Sequence, residues 1–241
     1  MIFVIAILSL IFIAIAFLLT EHNAKYLLSG YNTLSEEERL KFDIKSYLVY
    51  FKKFHLFLGI SLFIIGLILQ IVNPVWSGIF MTIYPILAYA YFIWQGSKFS
   101  GLSGRKQKIQ TVIVISLMLG ITVWVISMFF YSLQDNRIEI NNHVIHIKGD
   151  YGMELKTNEI KSIELVQELP DMATKVNGFA LHTIKKGDFK TKSGEHVKLF
   201  INTLEQPIIC ITTHRNQNIY YSSKDNSNQE LFDLLKQEVN K

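Results

Sequence analysis

Cysteine is almost missing from this chain, which has one, Cys210, among 241 residues. No disulfide can form within a single chain, so the fold must depend on its core instead of cross-links. Cys210 lies in the apolar run 208–211, which favours a packed thiol over a reactive one. Both a cytosolic and an exported location for this part of the chain are compatible with that pattern.

Charged side chains are missing from four long stretches, at about 1–20, 54–72, 78–94 and 111–131. About twenty apolar residues are needed to cross a bilayer as a helix. We therefore predict a module of four transmembrane helices over residues 1–131. The first stretch also resembles a cleaved signal peptide, but no Lys or Arg precedes Lys25, which favours a retained helix.

Two of these stretches carry further signals. Gly59 and Gly66 lie seven residues apart in the second stretch, on nearly the same helical face, where a neighbouring helix can approach closely. The third stretch is short and contains Pro85, which membrane helices tolerate. Trp76 and Trp94 bracket it, as is typical of aromatic anchors at a membrane surface.

Positive charge is unevenly distributed. Residues 1–131 contain ten Lys/Arg and five Asp/Glu, whereas residues 132–241 contain fourteen and fifteen. The three connections between the predicted spans contain six, zero and four Lys/Arg in turn. The positive-inside rule then places the first and third connections in the cytoplasm and both the N-terminus and residues 132–241 outside. An impermeant thiol reagent should spare a cysteine at Ser103 and label one at Ser223.

The first connection is a polar segment, residues 21–53. Thr33 followed by Glu36 predicts a capping box and a helix beginning near Leu34. Apolar residues then recur at helical spacing up to Phe51. Two interpretations are open: a helix lying on the inner membrane surface, or an extension of the second span by its first cytoplasmic turns.

The tract SGYNTLSEEE at 29–38, continuing to KFD at 41–43, resembles the signature of a bacterial membrane-protein family of unknown function. That signature reads A/S-G-Y-N-T-M/L-S-x-E-E and follows the first helix. The resemblance implies a bacterial multi-helix membrane module over roughly the first hundred residues, and it implies no activity. A turn that ends at glycine and leads into a capped helix explains the same tract without any chemistry.

After residue 136 the pattern becomes that of short strands, followed by one amphipathic helix. The predicted strands are 138–140, 144–147, 160–166, 198–201, 208–213 and 218–222. Ser227 and Glu230 predict a second capping box, and Leu231, Leu234, Leu235 and Val239 form an apolar stripe. The predicted fold is therefore an α+β membrane protein, with four transmembrane helices followed by a small β barrel or sandwich over 132–241, capped by a C-terminal helix.

The C-terminal half also resembles the bacterial pleckstrin-homology-like domains found behind membrane helices. The resemblance rests on NGFA at 177–180, KGDF at 186–189, VKLFI at 197–201 and YYS at 220–222. It implies a binding or interaction module. In eukaryotic relatives of that fold, loop lysines hold phosphoinositide headgroups.

Candidate ligand-binding residues are four lysines in the densest basic patch of this half: Lys185, Lys186, Lys190 and Lys192. A solvated, charged hairpin is the alternative, and Asp188 and Glu195 favour it by diluting the patch. His143 and His146 lie three apart, so on a strand they would face opposite sides, which argues against a metal site.

Catalytic signatures are missing: we find no nucleophile elbow, phosphate-cradling loop, HExxH or paired carboxylates. We therefore expect no enzyme activity, no cofactor, no metal and no nucleic-acid partner. Two functions remain. The first is a membrane-anchored binding module whose external domain recognises a protein partner or envelope ligand. The alternative is an accessory subunit of a transport or processing complex that associates through its helices.

Overall fold

The computed structural model describes residues 1–28, 30–101 and 105–239, without the side chain of Lys106. These residues separate into two compact units, Met1–Ile126 and Ser127–Lys241, called here the helical unit and the β domain. The division falls five residues before the predicted one at 131. The tract SGYNTLSEEE at 29–38 is called here the family tract. Its first residue, Ser29, and the labelling position Ser103 lie outside the described residues.

The helices are α1 (Ile2–Ile15), α2 (Ala24–Leu27), α3 (Glu36–Lys41), α4 (Ile44–Val72), α5 (Pro74–Gly96), α6 (Arg105–Leu133) and α7 (Asn228–Val239). A 3₁₀ turn, Ser97–Ser100, follows α5. Among the residues that the structure describes, three segments are long and apolar enough to cross a membrane: Ile44–Val72, Pro74–Ser100 and Gln107–Leu133. They contain the second, third and fourth predicted spans.

The first predicted span, 1–20, differs from the structure in length. Helix α1 has 14 residues, which corresponds to about 21 Å, whereas the hydrocarbon core of a bilayer is about 30 Å thick. Beyond Ile15 the backbone continues only as 3₁₀-type turns, with the amides of Phe17 and Leu18 bonded three residues back. Helix α1 alone therefore lacks the length of a full span.

Helix α1 packs antiparallel to α4, at the two glycines that the sequence singled out. A Cβ atom built on Gly59 would lie 2.6 Å from Cγ1 of Ile13 and 2.8 Å from the carbonyl oxygen of Ser9. One built on Gly66 would lie 3.2 Å from Cγ2 of Ile5. The predicted close approach of a neighbouring helix is thus confirmed, because any side chain at Gly59 would displace the backbone of α1.

Helices α4 and α5 form a tight antiparallel hairpin. Asn73 ends α4 and caps α5, since its Oδ1 accepts hydrogen bonds from the amides of Val75 and Trp76 at 3.0 and 3.2 Å. Pro74 occupies the first helical position, where a missing N–H costs nothing. The helix continues through Pro85, as predicted.

Polar side chains join α4 to α5 at intervals along their length. His55, which is buried, contacts the Phe51 carbonyl at 2.8 Å and the Tyr89 hydroxyl at 3.0 Å. Ser61 and the Tyr84 hydroxyl lie 2.6 Å apart. These pairs satisfy groups that would otherwise be stranded in an apolar interior.

The polar segment follows the second of the two predicted interpretations. Asp43 caps α4 by accepting a hydrogen bond from the Ser46 amide at 3.1 Å, so the apolar positions from Ile44 to Phe51 belong to the first turns of the long helix. The earlier apolar position, Leu40, lies in α3. The predicted capping box is displaced by two residues. Ser35 and Glu38 form it, and α3 begins at Glu36, because Ser35 has the extended backbone of an N-cap.

Within its described residues, up to 239, the β domain has nine strands in two sheets. They are β1 (Arg137–Asn141), β2 (Val144–Lys148), β3 (Met153–Lys156), β4 (Ile160–Val166), β5 (Met172–Leu181), β6 (Ile184–Thr191), β7 (His196–Ile201), β8 (Ile208–Thr213) and β9 (Asn218–Ser222). One sheet has the order β1-β2-β3 and the other β4-β8-β9-β7-β6-β5. All six predicted strands are present, and β3, β5 and β6 are additional.

Strand β7 pairs with β9 in parallel, while every other described pair is antiparallel. The core lies between the two sheets and α7. It includes Ile145, Phe200, Ile209, Tyr221 and Leu235. Ser227 caps α7 as predicted, with its hydroxyl 3.4 Å from the Glu230 amide. A β-rich domain with a packed C-terminal helix is confirmed.

Candidate binding sites

The four candidate lysines do not form one surface. Lys186 is fully buried, and its Nζ donates a hydrogen bond to the Gln134 carbonyl. Lys192 forms an exposed ion pair with Asp171 at 3.0 Å. Lys190 is exposed on the same strand, β6, and Lys185 is half-buried. Strand alternation places Lys185 and Lys186 on opposite faces of β6. It places Lys186 and Lys190 on the same face, but Lys186 is buried and Lys190 is exposed. The four charges therefore do not come together, although they are close in sequence.

The buried end of Lys186 belongs to a polar cluster around residues 134–136, which follow α6. Burial lowers the pKa of Lys186 to about 8, while attraction to Asp135 and Asp150 opposes that change. Asp135 accepts hydrogen bonds from the Ser223 hydroxyl at 2.6 Å and the Lys224 amide at 3.1 Å. Lys186 therefore fixes residues 134–135 to strand β6, and its charged group is not exposed to solvent.

Asn136 completes the cluster. Its amide group donates to the carbonyls of Lys148 and Asp150 at 3.1 and 3.0 Å, and its own carbonyl accepts from the Tyr221 hydroxyl at 2.6 Å. Burial raises the pKa of Tyr221 above its ordinary range. These contacts anchor the residues after α6 to both sheets of the β domain.

The two histidines considered for metal binding have separate partners. His143 lies in the β1–β2 turn, 3.4 Å from Glu238, and His146 lies 3.1 Å from Glu154 on β3. Within the described ranges, no three His, Cys, Asp or Glu side chains are close enough to hold a metal ion. Cys210 is buried, which raises the pKa of its thiol and so lowers its reactivity.

A groove of about 340 Å³ lies between β1 and α7. Ile138 and Ile140 line one side, and Leu231, Leu234 and Leu235 line the other. Leu235 is fully buried, whereas Leu234 is 54% exposed. In the described part of the chain β1 pairs only with β2, so the other backbone edge of β1 has no strand partner. The apolar stripe of α7 was predicted from the sequence, but its position beside a strand edge was not.

A second, larger cavity of about 810 Å³ lies in the helical unit, at the end where the polar segment meets the start of α6. We call it the end cavity. The amide of Asp43 donates to the Phe99 carbonyl at 3.0 Å, so the first and third connections meet at this end. Residues of the family tract, among them Tyr31, Thr33 and Leu34, line it.

The walls of the end cavity differ in chemistry. Phe42, Tyr47 and Phe92 form an aromatic wall, with the ring centroids of Tyr47 and Phe92 6.1 Å apart. The opposite wall is one face of α6, where Gln107, Gln110, Thr111 and Val114 recur at helical spacing. Glutamines three apart at the start of an apolar span are the sequence signal that could have indicated this site.

Polar groups in and near the end cavity are incompletely paired. The Oε1 atom of Gln107 is buried and has no hydrogen-bond partner among the described residues. The Nε atom of Arg39, the residue after Glu38, is also buried without a hydrogen-bond partner among the described residues. The Nη2 atom of the same side chain donates a hydrogen bond to the Asn32 carbonyl at 3.1 Å. Buried polar atoms without partners are costly, so a bound ligand or water at this position would lower the free energy.

The match to known protein families extends over only part of the chain. A family model described as "Domain of unknown function (DUF3784)" matches residues 6–100. No curated protein and no solved structure matches the chain. The matched segment includes the family tract and most of the helical unit, and it ends before α6 and the β domain. Residues 6–100 are therefore similar to a family of unknown function, which fits a multi-pass membrane protein.

Proposed function

We propose that this chain is an integral protein of the bacterial cell membrane whose β domain, of pleckstrin-homology-like type, binds an extended segment of a protein partner and catalyses no reaction. The groove between β1 and α7 carries the proposal. An added strand would complete the hydrogen bonds of the free β1 edge. Every second side chain of the added strand would pack against Leu231 and Leu234. The backbone hydrogen bonds would supply affinity, and the side-chain contacts in the groove would supply specificity.

The location rests on the charge distribution. The connections with six and four Lys/Arg meet at one end of the helical unit, as the bond between Asp43 and Phe99 requires, and the connection with none lies at the other end of the α4–α5 hairpin. Positive-inside bias then favours the basic end in the cytoplasm. The β domain, after α6, would lie on the outer side.

A fourth membrane-crossing segment is also part of the proposal. Residues 1–18 extend along α4 from the level of Gly66 to Lys52, whose Nζ lies 4.7 Å from the ring centroid of Phe17. The helix and its 3₁₀ extension thus accompany most of the apolar part of α4. Such a segment would place the N-terminus on the side opposite the polar segment.

Site-specific photo-crosslinking in intact cells tests the binding site. A photoreactive residue at Asn142, in the groove, should form one discrete protein adduct, and one at Glu205, exposed on the β7–β8 loop, should not. Leu234→Ala should abolish the adduct, whereas Leu204→Ala should leave it intact, because Leu204 is a similarly exposed leucine outside the groove. An adduct that survives Leu234→Ala would contradict the groove as the binding site.

The alternative, an accessory subunit that associates through its helices, predicts a different result. A photoreactive residue at Leu117, 63% exposed on α6, would then give the stoichiometric adduct. Gly59 and Gly66 no longer support that alternative, since α1 already occupies both. Turnover in a broad hydrolase screen that persisted after purification to homogeneity would overturn the non-enzymatic assignment.

A further inference from the structure

We propose that the end cavity is a binding site for one anionic phospholipid, with its phosphate at the polar mouth and an acyl chain along the apolar part of α6. Nothing in the proposed binding of a protein partner by the β domain requires this site. The cavity volume, about 810 Å³, lies within the range of roughly 300–1,000 Å³ usual for small-molecule sites.

The lining changes from polar to apolar in the direction that a membrane lipid needs. Gln107 and Gln110 lie at the start of the apolar segment Gln107–Leu133, and Val114 lies one to two turns further in. The facing wall presents Tyr47 and Phe92. A free phosphate would use only the polar end and leave this apolar surface uncovered, so the cavity fits a lipid better than a soluble anion.

Charge at the mouth is complementary to a phosphate. Lys41 lines the cavity. The first turn of α6 has no acidic residue. The acidic side chain in the lining, Glu38, is engaged with the amide of Ser35 at 3.0 Å. Basic residues at a membrane surface favour anionic lipids.

The packing of α6 leaves room for an acyl chain. In the most apolar 18-residue stretch of α6 only 17% is buried, against 28% in the corresponding stretch of α4. In the helical unit α4 packs against both α1 and α5, whereas the Gln107–Val114 face of α6 borders the cavity. An acyl chain in this position would cover apolar side chains on both walls.

Two glycines provide a matched test. Gly96 lines the cavity, and a Cβ atom there would lie 3.4 Å from Cε2 of Tyr47, at the edge of ordinary contact. A leucine at this position would fill the cavity. Gly120 lies on α6 with no atom within 4 Å of its Cβ position, so a leucine there leaves the cavity unchanged.

The experiment titrates the purified full-length chain in neutral detergent with phosphatidylglycerol and counts bound lipid by native mass spectrometry. We expect one bound phosphatidylglycerol, at least about ten-fold weaker binding in Gly96→Leu, and unchanged binding in Gly120→Leu. Excess inorganic phosphate should not displace the lipid. Equal binding by the two variants, equal binding of phosphatidylcholine, or full displacement by phosphate would overturn the proposal.

A second pair of variants changes charge without changing the packing. Lys41→Gln should weaken phosphatidylglycerol binding roughly five-fold, as expected for one lysine near an anionic headgroup. Lys45→Gln, an exposed lysine of the same polar segment that does not line the cavity, should leave it unchanged. If Gly96→Leu does not fold, this pair decides the question, and equal affinities of Lys41→Gln and Lys45→Gln would refute the site.

Discussion

Among individual residues, Lys186 carries the clearest energetic consequence. Its Nζ donates to the Gln134 carbonyl, and the nearby Oδ1 of Asp135 is buried without a hydrogen-bond partner among the described residues. Lys186→Met would remove the cation and leave both oxygens uncompensated. We expect it to lower the free energy of unfolding of the β domain by about 2 kcal/mol at pH 7.

Urea unfolding of the β domain, residues 127–241, followed by far-UV circular dichroism measures this loss. Lys190→Met is the control, because Lys190 lies on the same strand but is exposed. We expect its effect to stay within about 0.5 kcal/mol of zero. Equal effects of the two variants would contradict a structural role for the buried lysine.

The pH dependence of the same residue has a definite sign. The pKa of Lys186 falls from 10.5 to about 8 on folding, so between these values the unfolded chain binds a proton that the folded chain does not. The free energy of unfolding should therefore rise with pH in this window, by at most about 1.4 kcal/mol per pH unit. Below pH 8 the effect should vanish.

The measurement compares the β domain with its Lys186→Met variant in urea at pH 7, 8 and 9. Shifts from Cys210 and the tyrosines are common to both proteins and cancel in the difference. The stability difference should widen only above pH 8. A difference that stays constant up to pH 9 would show that Lys186 titrates at its ordinary pKa.

Among the secondary-structure elements, α7 closes the core of the β domain through one face. Leu235 is completely buried in this core, whereas the adjacent Leu234 is 54% exposed. Leu235→Asp should unfold the domain, because it buries a carboxylate without a partner. Leu234→Asp should leave it folded.

Far-UV circular dichroism of residues 127–241 provides the readout. The unmodified domain should give a mainly β spectrum with one helical contribution, Leu234→Asp should match it, and Leu235→Asp should lose it. A mainly helical spectrum for the unmodified fragment would refute the fold. Similar spectra for both aspartate variants would contradict the assigned faces of α7.

The contact between α1 and α4 depends on Gly59. Gly59→Leu would place atoms where Ile13 and the Ser9 carbonyl now lie, and overpacking of this kind costs about 1–3 kcal/mol. Gly120→Leu adds the same side chain in open space. Thermal unfolding in detergent, followed by tryptophan fluorescence, should show a lower Tm only for Gly59→Leu. Identical transitions would mean that α1 does not pack at this position.

For the whole molecule, sidedness is the decisive property. Ser223, a labelling position chosen from sequence, is only 3% exposed, so a thiol there would be shielded on either side of the membrane. Glu37 and Glu205 are exposed instead. In a Cys210→Ala background in intact cells, an impermeant thiol reagent should label Glu205→Cys and spare Glu37→Cys.

Permeabilised cells supply the control, in which both positions should react. The opposite pattern in intact cells would place the β domain in the cytoplasm. Labelling at both positions in intact cells would mean that an even number of segments crosses the membrane between Glu37 and Glu205. The three crossings by α4, α5 and α6 would then need revision.

The sequence predicted best where a local pattern and its physical cause coincide. Uncharged stretches long enough for a bilayer became α4, α5 and α6, and alternating or continuous apolar runs became six of the nine strands. Strand β6 escaped detection because three of its eight residues are lysine, and β5 because most of its residues are exposed and show no apolar alternation. Their pairing also includes a close approach of Gly178 and Gly187, the latter with a φ of +104°. A pair of glycines contributes no apolar side chain, so these two strands show no apolar periodicity at that position.

Local pattern therefore determined the membrane character, the order of the two halves and the helix caps to within two residues. Only the tertiary structure decided that Lys186 is buried while Lys192 is exposed, that β1 borders a groove beside α7, and that the family tract lines a cavity with α6. Each of these depends on contacts between residues far apart in the chain. Hydrophobic periodicity indicates which face of an element is buried, but not which distant element covers it.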